Sequence, residues 1–170
     1  MSETCLITPI GEFELHRYPA RKRELLRAWD AADEYLLQKL SERSLQQKQT
    51  LIVNDNFGAL AVALQHLSPV SWSDSWLAHQ ALRENLKRNN CDPDSVRILP
   101  STQNPDKSPT LVLFKVPKSL ALLEDQLIRL KPLLTEGSRV LVGGMVKTMP
   151  SSPRIPSALG VLAKILAPGI

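Results

Sequence analysis

The sequence predicts an α/β protein built on a doubly wound, mainly parallel sheet. Short segments such as "TLIV", "LVLFKV" and "RVLVGG" are apolar at nearly every position, as strands are when helices cover both faces of a parallel sheet. Between them lie segments whose apolar residues recur every three or four positions, the period of an amphipathic helix. Strands alternating with helices select βαβ architecture.

The elements follow in order. Leu25, Leu26, Trp29, Ala32, Leu36, Leu37 and Leu40 share helical spacing, which predicts an extra N-terminal helix over 23–42 within a helical entry at 17–45. The strand "TLIV" opens the sheet region at 50–167. A short helix over 59–66, a strand over 70–73 and a helix over 75–88 come next, the last burying Leu77, Ala81, Leu82 and Leu86. The strand "VRIL", the polar loop "PSTQNPDKSPT", the strand "LVLFKV", a helix over 120–134 and the strand "RVLVGG" complete the main pattern. The Pro- and Ser-containing loop "TMPSSPRIPS" leads to a predicted helix "ALGVLAKIL". No internal repeat interrupts the series.

Length and charge bound the function. A chain of 170 residues fits one domain that buries roughly 70% of its unfolded surface, so no metal or disulfide is needed. Cys5 and Cys91 stand far apart without a C-x-x-C motif and read as reduced thiols of a cytoplasmic protein. No apolar stretch approaches the roughly 18 residues of a membrane span. His16, His66 and His79 lack metal-ligand spacing and read as ordinary histidines.

The net charge is +4, from 21 Lys+Arg against 17 Asp+Glu. It is unevenly distributed. "RYPARKRELLR" carries Arg17, Arg21, Lys22, Arg23 and Arg27 against Glu24 alone, and the residues after Glu136 include Arg139, Lys147, Arg154 and Lys164 with no acid. Such clusters either attract nucleic-acid phosphates through counterion release or form a solvated basic face. Trp29, Trp72 and Trp76 read as core, the alternative being platforms for bases.

Ligands of doubly wound sheets sit beyond the carboxyl ends of the strands, with the loop after the first strand at the centre. That loop is "NDNFGA", and Asp74 stands 20 positions after Asn54, where an acid typically accepts ribose hydroxyls. Yet Gly58 is the one glycine of the turn. Glycines serve such turns by reaching positive φ and by letting a ligand approach the backbone. Asn54, Asp55, Gly58 and Asp74 are therefore degenerate cofactor positions. Either the turn persists as architecture, with Asn54, Asp55 and Asp74 hydrogen-bonding neighbouring loops, or a cofactor still binds.

The segments "LRAWDAADEYLL", "LIVNDNFGAL", "SDS", "FKVPKSLALLEDQL" and "VGGMVK" together resemble the N-terminal half of the bacterial rRNA guanine methyltransferases, nearer the large-subunit methyltransferase G than the small-subunit methyltransferase C. The resemblance implies a sheet of the S-adenosylmethionine-dependent methyltransferase type, here without its last two edge strands. It also implies two tandem domains: a noncatalytic N-terminal copy, which this chain matches over 1–170, and a cofactor-dependent catalytic domain beyond it.

The implied partners are ribosomal RNA, in protein-free form, and that catalytic domain. Amine-methylating relatives carry an N-P-P-[YF] type motif after the fourth strand, where this chain has "FKVPK". Lys115 offers only donors and cannot accept a hydrogen bond from a substrate amine. No catalytic, cofactor or metal residue is thus expected here. The RNA candidates are Arg17, Arg21, Lys22, Arg23, Lys115, Lys118 and Lys147, with Lys115 and Lys118 either binding phosphate or simply solvated. A self-sufficient methyltransferase with an unusual motif and a purely structural domain are the alternatives.

Overall fold

Leu51 and Val53 of strand β3 (Thr50–Val53) belong to one apolar cluster and Ile52 to another, and all three are buried. Strand β6 (Leu111–Lys115) repeats the alternation: Leu111 and Leu113 join Ile52, whereas Val112 and Phe114 join Leu51 and Val53. Each strand therefore has two covered faces, the condition for a parallel sheet between helices. The computed structural model describes residues 2–43, 49–105, 108–144 and 163–166.

The other strands of the sheet are β4 (Val70–Ser73), β5 (Arg97–Pro100), β7 (Arg139–Gly143) and β8 (Ala163–Leu166). The sheet runs β5-β4-β3-β6-β7-β8, with every neighbouring pair parallel. The strand order reverses at β3, so the carboxyl ends of β3, β4 and β6 frame the position where such sheets bind ligands. Helices α1 (Ala31–Ser41), α2 (Ala59–Ala63) and α3 (Trp76–Arg88) pack on the face of Ile52 through Leu36, Leu40, Leu60, Leu82 and Leu86. Helix α4 (Leu120–Leu130) covers the other face with Leu123, Leu127 and Leu130.

Several local expectations change. A hairpin, β1 (Cys5–Thr8) and β2 (Gly11–Glu14), precedes the helices. Asn85 and Asn89 of α3 anchor its exit: the Asn89 Oδ1 accepts from Glu14 N at 2.9 Å and the Asn85 Oδ1 from His16 N at 3.0 Å. The first helix starts at Ala31, not near Arg23, because Asp30 and Asp33 form a reciprocal capping box. Leu25 and Leu26 lie in solvent, at 78% and 59% exposure. Leu77 also faces outward, and Asn85 occupies the buried side of α3 with Ala78, Ala81, Leu82 and Leu86.

At the end of the chain, 163–166 form a strand against β7 rather than a helix. β7 is therefore not the exposed edge that the missing strands implied; residues 158–162 lie outside the described residues. The shorter helices have local causes. α2 passes at Gln65–Leu67 into a 3-10 turn, and α4 passes into another at Lys131–Leu133, where Pro132 cannot supply a helical N–H.

Candidate functional site

A cleft of about 640 Å³ opens beyond the carboxyl ends of β3, β4 and β6. The turn after β3 forms its floor. Asn54 holds a left-handed backbone, φ 65°, which asparagine tolerates better than most residues. Its side chain is committed elsewhere: Nδ2 donates to the Lys115 carbonyl at 2.9 Å and to Gln126 Oε1 at 2.8 Å, while Oδ1 accepts from Gln126 Nε2 at 2.8 Å. The turn is thus pinned to the end of β6 and to α4. Gly58, φ 87°, allows α3 to approach, since a Cβ there would lie 2.9 Å from the Leu82 Cα.

Asp55 fills the other half of the turn. Its buried carboxylate accepts from Ala61 N at 2.9 Å and lies 3.5 Å from Leu60 N, at the first turn of α2. Free amides at such a helix start attract anions, and here the protein supplies its own. Burial pushes the Asp55 carboxyl above its ordinary pKa, against the lowering effect of the Ala61 amide and of Lys115.

Lys115 is the decisive correction. Its sequence context suggests a phosphate ligand or a solvated lysine, and the structure makes it neither. It is 5% exposed, with its ammonium 2.8 Å from Asp33 Oδ1 and 3.1 Å from Asp30 Oδ2. Burial would lower its pKa, but the charges of Asp33 and Asp30 outweigh burial and raise it. Asp33 is also buried, which pushes its pKa up to about 7 despite Lys115, with Asp30 and Asp55 adding repulsion. Asp30, partly exposed, is held below its ordinary value by Lys115 and the capping amides, which outweigh its burial. Two of the three ammonium donors face these carboxylates, and burial withholds the ammonium from an RNA phosphate.

The remaining candidates fall into three groups. Arg17 and Lys118 line the cleft, and the Arg17 guanidinium lies 4.8 Å from the centroid of Phe57. Arg21, Lys22 and Arg23 are exposed in the irregular segment leading away from Arg17. Lys147 lies outside the described residues. Asp74 also lines the cleft, is exposed, and makes no hydrogen bond among the described residues, contrary to the expectation that it ties loops together.

Trp29 and Trp72 are core residues, with indole N–H groups donating to Glu34 Oε1 and the Gln103 carbonyl, each at 3.0 Å. Trp76 is not core. It is 64% exposed on the first turn of α3, edge-on to Tyr18 with centroids 6.5 Å apart. Both cysteines are free thiols. Among the described residues no cluster of His, Cys, Asp or Glu is arranged to hold a metal ion, and no helix is long and apolar enough to cross a membrane.

Comparison with known proteins decides the family. The model described as "RLMG N-terminal domain" matches residues 3–167. The chain belongs to the RLMG N-terminal domain family. Its curated relatives include "Ribosomal RNA large subunit methyltransferase G" of Streptomyces coelicolor, 49% identical over 86% of this chain and 39% of that protein. The protein of the same name from Pseudomonas savastanoi pv. phaseolicola is 47% identical over 86% of this chain and 40% of its own length. Another, from Streptomyces griseus, is 44% identical over 95% of this chain and 42% of its own length. The chain therefore spans about two fifths of the relatives that it matches. A solved diketoreductase shares the doubly wound fold alone, with a TM-score of 0.51 and 13% identity over 71% of this chain and 50% of the other.

One signal could have exposed the Lys115 site in advance. "DAAD" is a D-x-x-D capping box, and two carboxylates at one helix start require a cation when the strand beside them buries them.

Proposed function

We propose that this chain is the noncatalytic N-terminal domain of a large-subunit rRNA guanine methyltransferase, in which it helps to hold RNA and supports the catalytic domain. The cytoplasm is its place of action, and protein-free rRNA is its partner. The observation that carries this reading is the occupied turn: Asp55 takes the α2 amides and Asp30 and Asp33 take Lys115, so the groups that a cofactor and a substrate amine would meet are engaged within the fold. S-adenosylmethionine and methyl transfer belong, in this proposal, to the catalytic domain of the parent protein.

RNA contact rests on Arg17, Lys118 and the exposed run Arg21, Lys22 and Arg23. Each lost phosphate contact lowers the slope of log affinity against log salt by about 0.7 to 0.9. The test is RNA binding by the chain at several salt concentrations, with Arg21, Lys22 and Arg23 changed to Glu. A weaker affinity with a flattened slope supports the proposal; wild-type values of both make the patch solvated surface only.

A further inference from the structure

The occupied turn accounts for only part of the cleft. On the side formed by Asp74, Phe57, Arg17, Tyr18 and Lys118, Asp74 and Lys118 keep free chemistry, while the Arg17 Nε donates to the Arg27 carbonyl at 2.8 Å and so fixes its guanidinium over Phe57. Asp74 follows the last residue of β4, is exposed and makes no hydrogen bond among the described residues. Its position at the end of the second sheet strand from the centre is where an acid accepts a ribose hydroxyl in a doubly wound fold. A carboxylate only accepts hydrogen bonds, so its ligand must offer a donor. Arg17 over Phe57 presents a stacked guanidinium–aromatic pair, and both kinds of group serve as platforms for unstacked bases. Lys118 brings an exposed ammonium to the same cleft.

We infer that this half of the former cofactor cleft binds one nucleotide of single-stranded RNA, with Asp74 accepting a hydrogen bond from its ribose 2′-hydroxyl, the Arg17–Phe57 pair stacking on its base, and Lys118 meeting a phosphate. The inference rests on the RNA-binding reading above and deepens it. The basic run contacts any phosphate backbone, whereas Asp74 distinguishes RNA from DNA, because the 2′-hydroxyl is the group that DNA lacks. Geometry favours a strand over a free phosphate. Asp55 already occupies the α2 amides, so what remains is a place for sugar and base.

The experiment measures binding of the 170-residue chain to a labelled RNA strand of about 12 nucleotides, within the range of single-strand sites, and to DNA of the same sequence. Hydrogen bonds to a charged group support a preference of about tenfold for RNA. Asp74→Ala, which leaves no acceptor at that position, brings the RNA-to-DNA affinity ratio toward one without changing the salt slope, and thermal melting checks that the variant is folded. Replacing 2′-hydroxyls with hydrogen along the RNA, one position at a time, gives the second measurement: one position weakens wild-type binding and has no effect on Asp74→Ala.

An unchanged ratio in Asp74→Ala, or an equal gain in affinity for RNA and DNA through relieved repulsion, overturns the Asp74 assignment while leaving RNA binding intact. Adenosine 5′-monophosphate that competes at the concentration of the strand itself overturns the RNA assignment in favour of a free nucleotide. Absence of RNA binding altogether overturns both this inference and the function on which it rests.

Discussion

The Lys115 ammonium lies 2.8 Å from the Asp33 carboxylate, joining the last residue of β6 to the first turn of α1. Asp33 also accepts from the Asp30 backbone N–H at 3.0 Å, and Asp30 in turn meets Lys115 at 3.1 Å. One lysine thus fixes a helix cap to the sheet. At the carboxyl end of β6 this chain has built a structural joint.

Lys115→Met should destabilise the fold by roughly 3 kcal/mol, near the lower end of the range for breaking a buried pair, because Asp30 is only partly buried. Denaturant unfolding measures the loss. Below the transition, the salt dependence of RNA binding should equal that of the wild type. A variant of wild-type stability with a flatter salt slope would return Lys115 to the phosphate ligands.

The pH response follows from Asp33. Its ordinary pKa of 3.8 rises to about 7 on folding, so between those values the native state binds more protons than the unfolded one. Stability from this group is therefore lost as pH rises through that window. Asp55, also raised, acts in the same direction. His79 opposes them, since burial lowers its pKa from 6.5 and raises stability as pH climbs toward that value. Comparison with Asp33→Asn cancels the His79 contribution. The stability of the variant relative to wild type should increase from pH 5 to pH 8; a constant difference would show that Asp33 is ionised throughout.

The sheet was legible because its strands are apolar on both faces, a pattern that a covered parallel sheet requires and a half-solvated one does not. Helix starts with a serine cap were nearly as clear: Ser75 and Ser119 accept from Ala78 N and Leu122 N. The hairpin was not, because its two four-residue strands bury little beyond Leu6 and offer no apolar run longer than residues 5–7. "ALGVLAKIL" has the composition of either a helix or a buried strand, and periodicity alone does not separate them. Lys115 was misread for a different reason. Its Asp30 partner stands 85 positions away, and a lysine reads as solvated surface until the fold supplies its counter-charges.

Gly58→Ala tests whether the surviving glycine is architectural. Its φ of 87° disfavours any side chain, and the added Cβ would stand 2.9 Å from the Leu82 backbone. Left-handed strain alone costs about 1 to 2 kcal/mol, and displacing α3 adds to it. Chemical denaturation should show a loss of at least that size. Retained stability would mean that α3 can withdraw from the turn without cost.

Restoring a glycine at Asn54 should not restore a cofactor site. Asn54→Gly relieves a left-handed asparagine, φ 65°, worth about 1 kcal/mol or less because asparagine tolerates that conformation. It also removes the two reciprocal bonds with Gln126 and the bond to the Lys115 carbonyl. Gln126 is buried, and leaving its amide unpaired costs about 1 to 3 kcal/mol. The variant should therefore be less stable by up to about 2 kcal/mol, the difference of those two effects when the full strain is relieved. Cofactor binding faces a separate obstacle that the substitution leaves in place: Asp55 still accepts from the α2 amide of Ala61, and an anionic group of the ligand would meet that carboxylate in a desolvated turn. Titration calorimetry with S-adenosylmethionine near millimolar concentration should show no saturable heat for wild type or for Asn54→Gly. A micromolar one-to-one isotherm for the wild type would make the chain a cofactor-binding domain. The same isotherm for Asn54→Gly alone would show that the asparagine, rather than Asp55, closed the site.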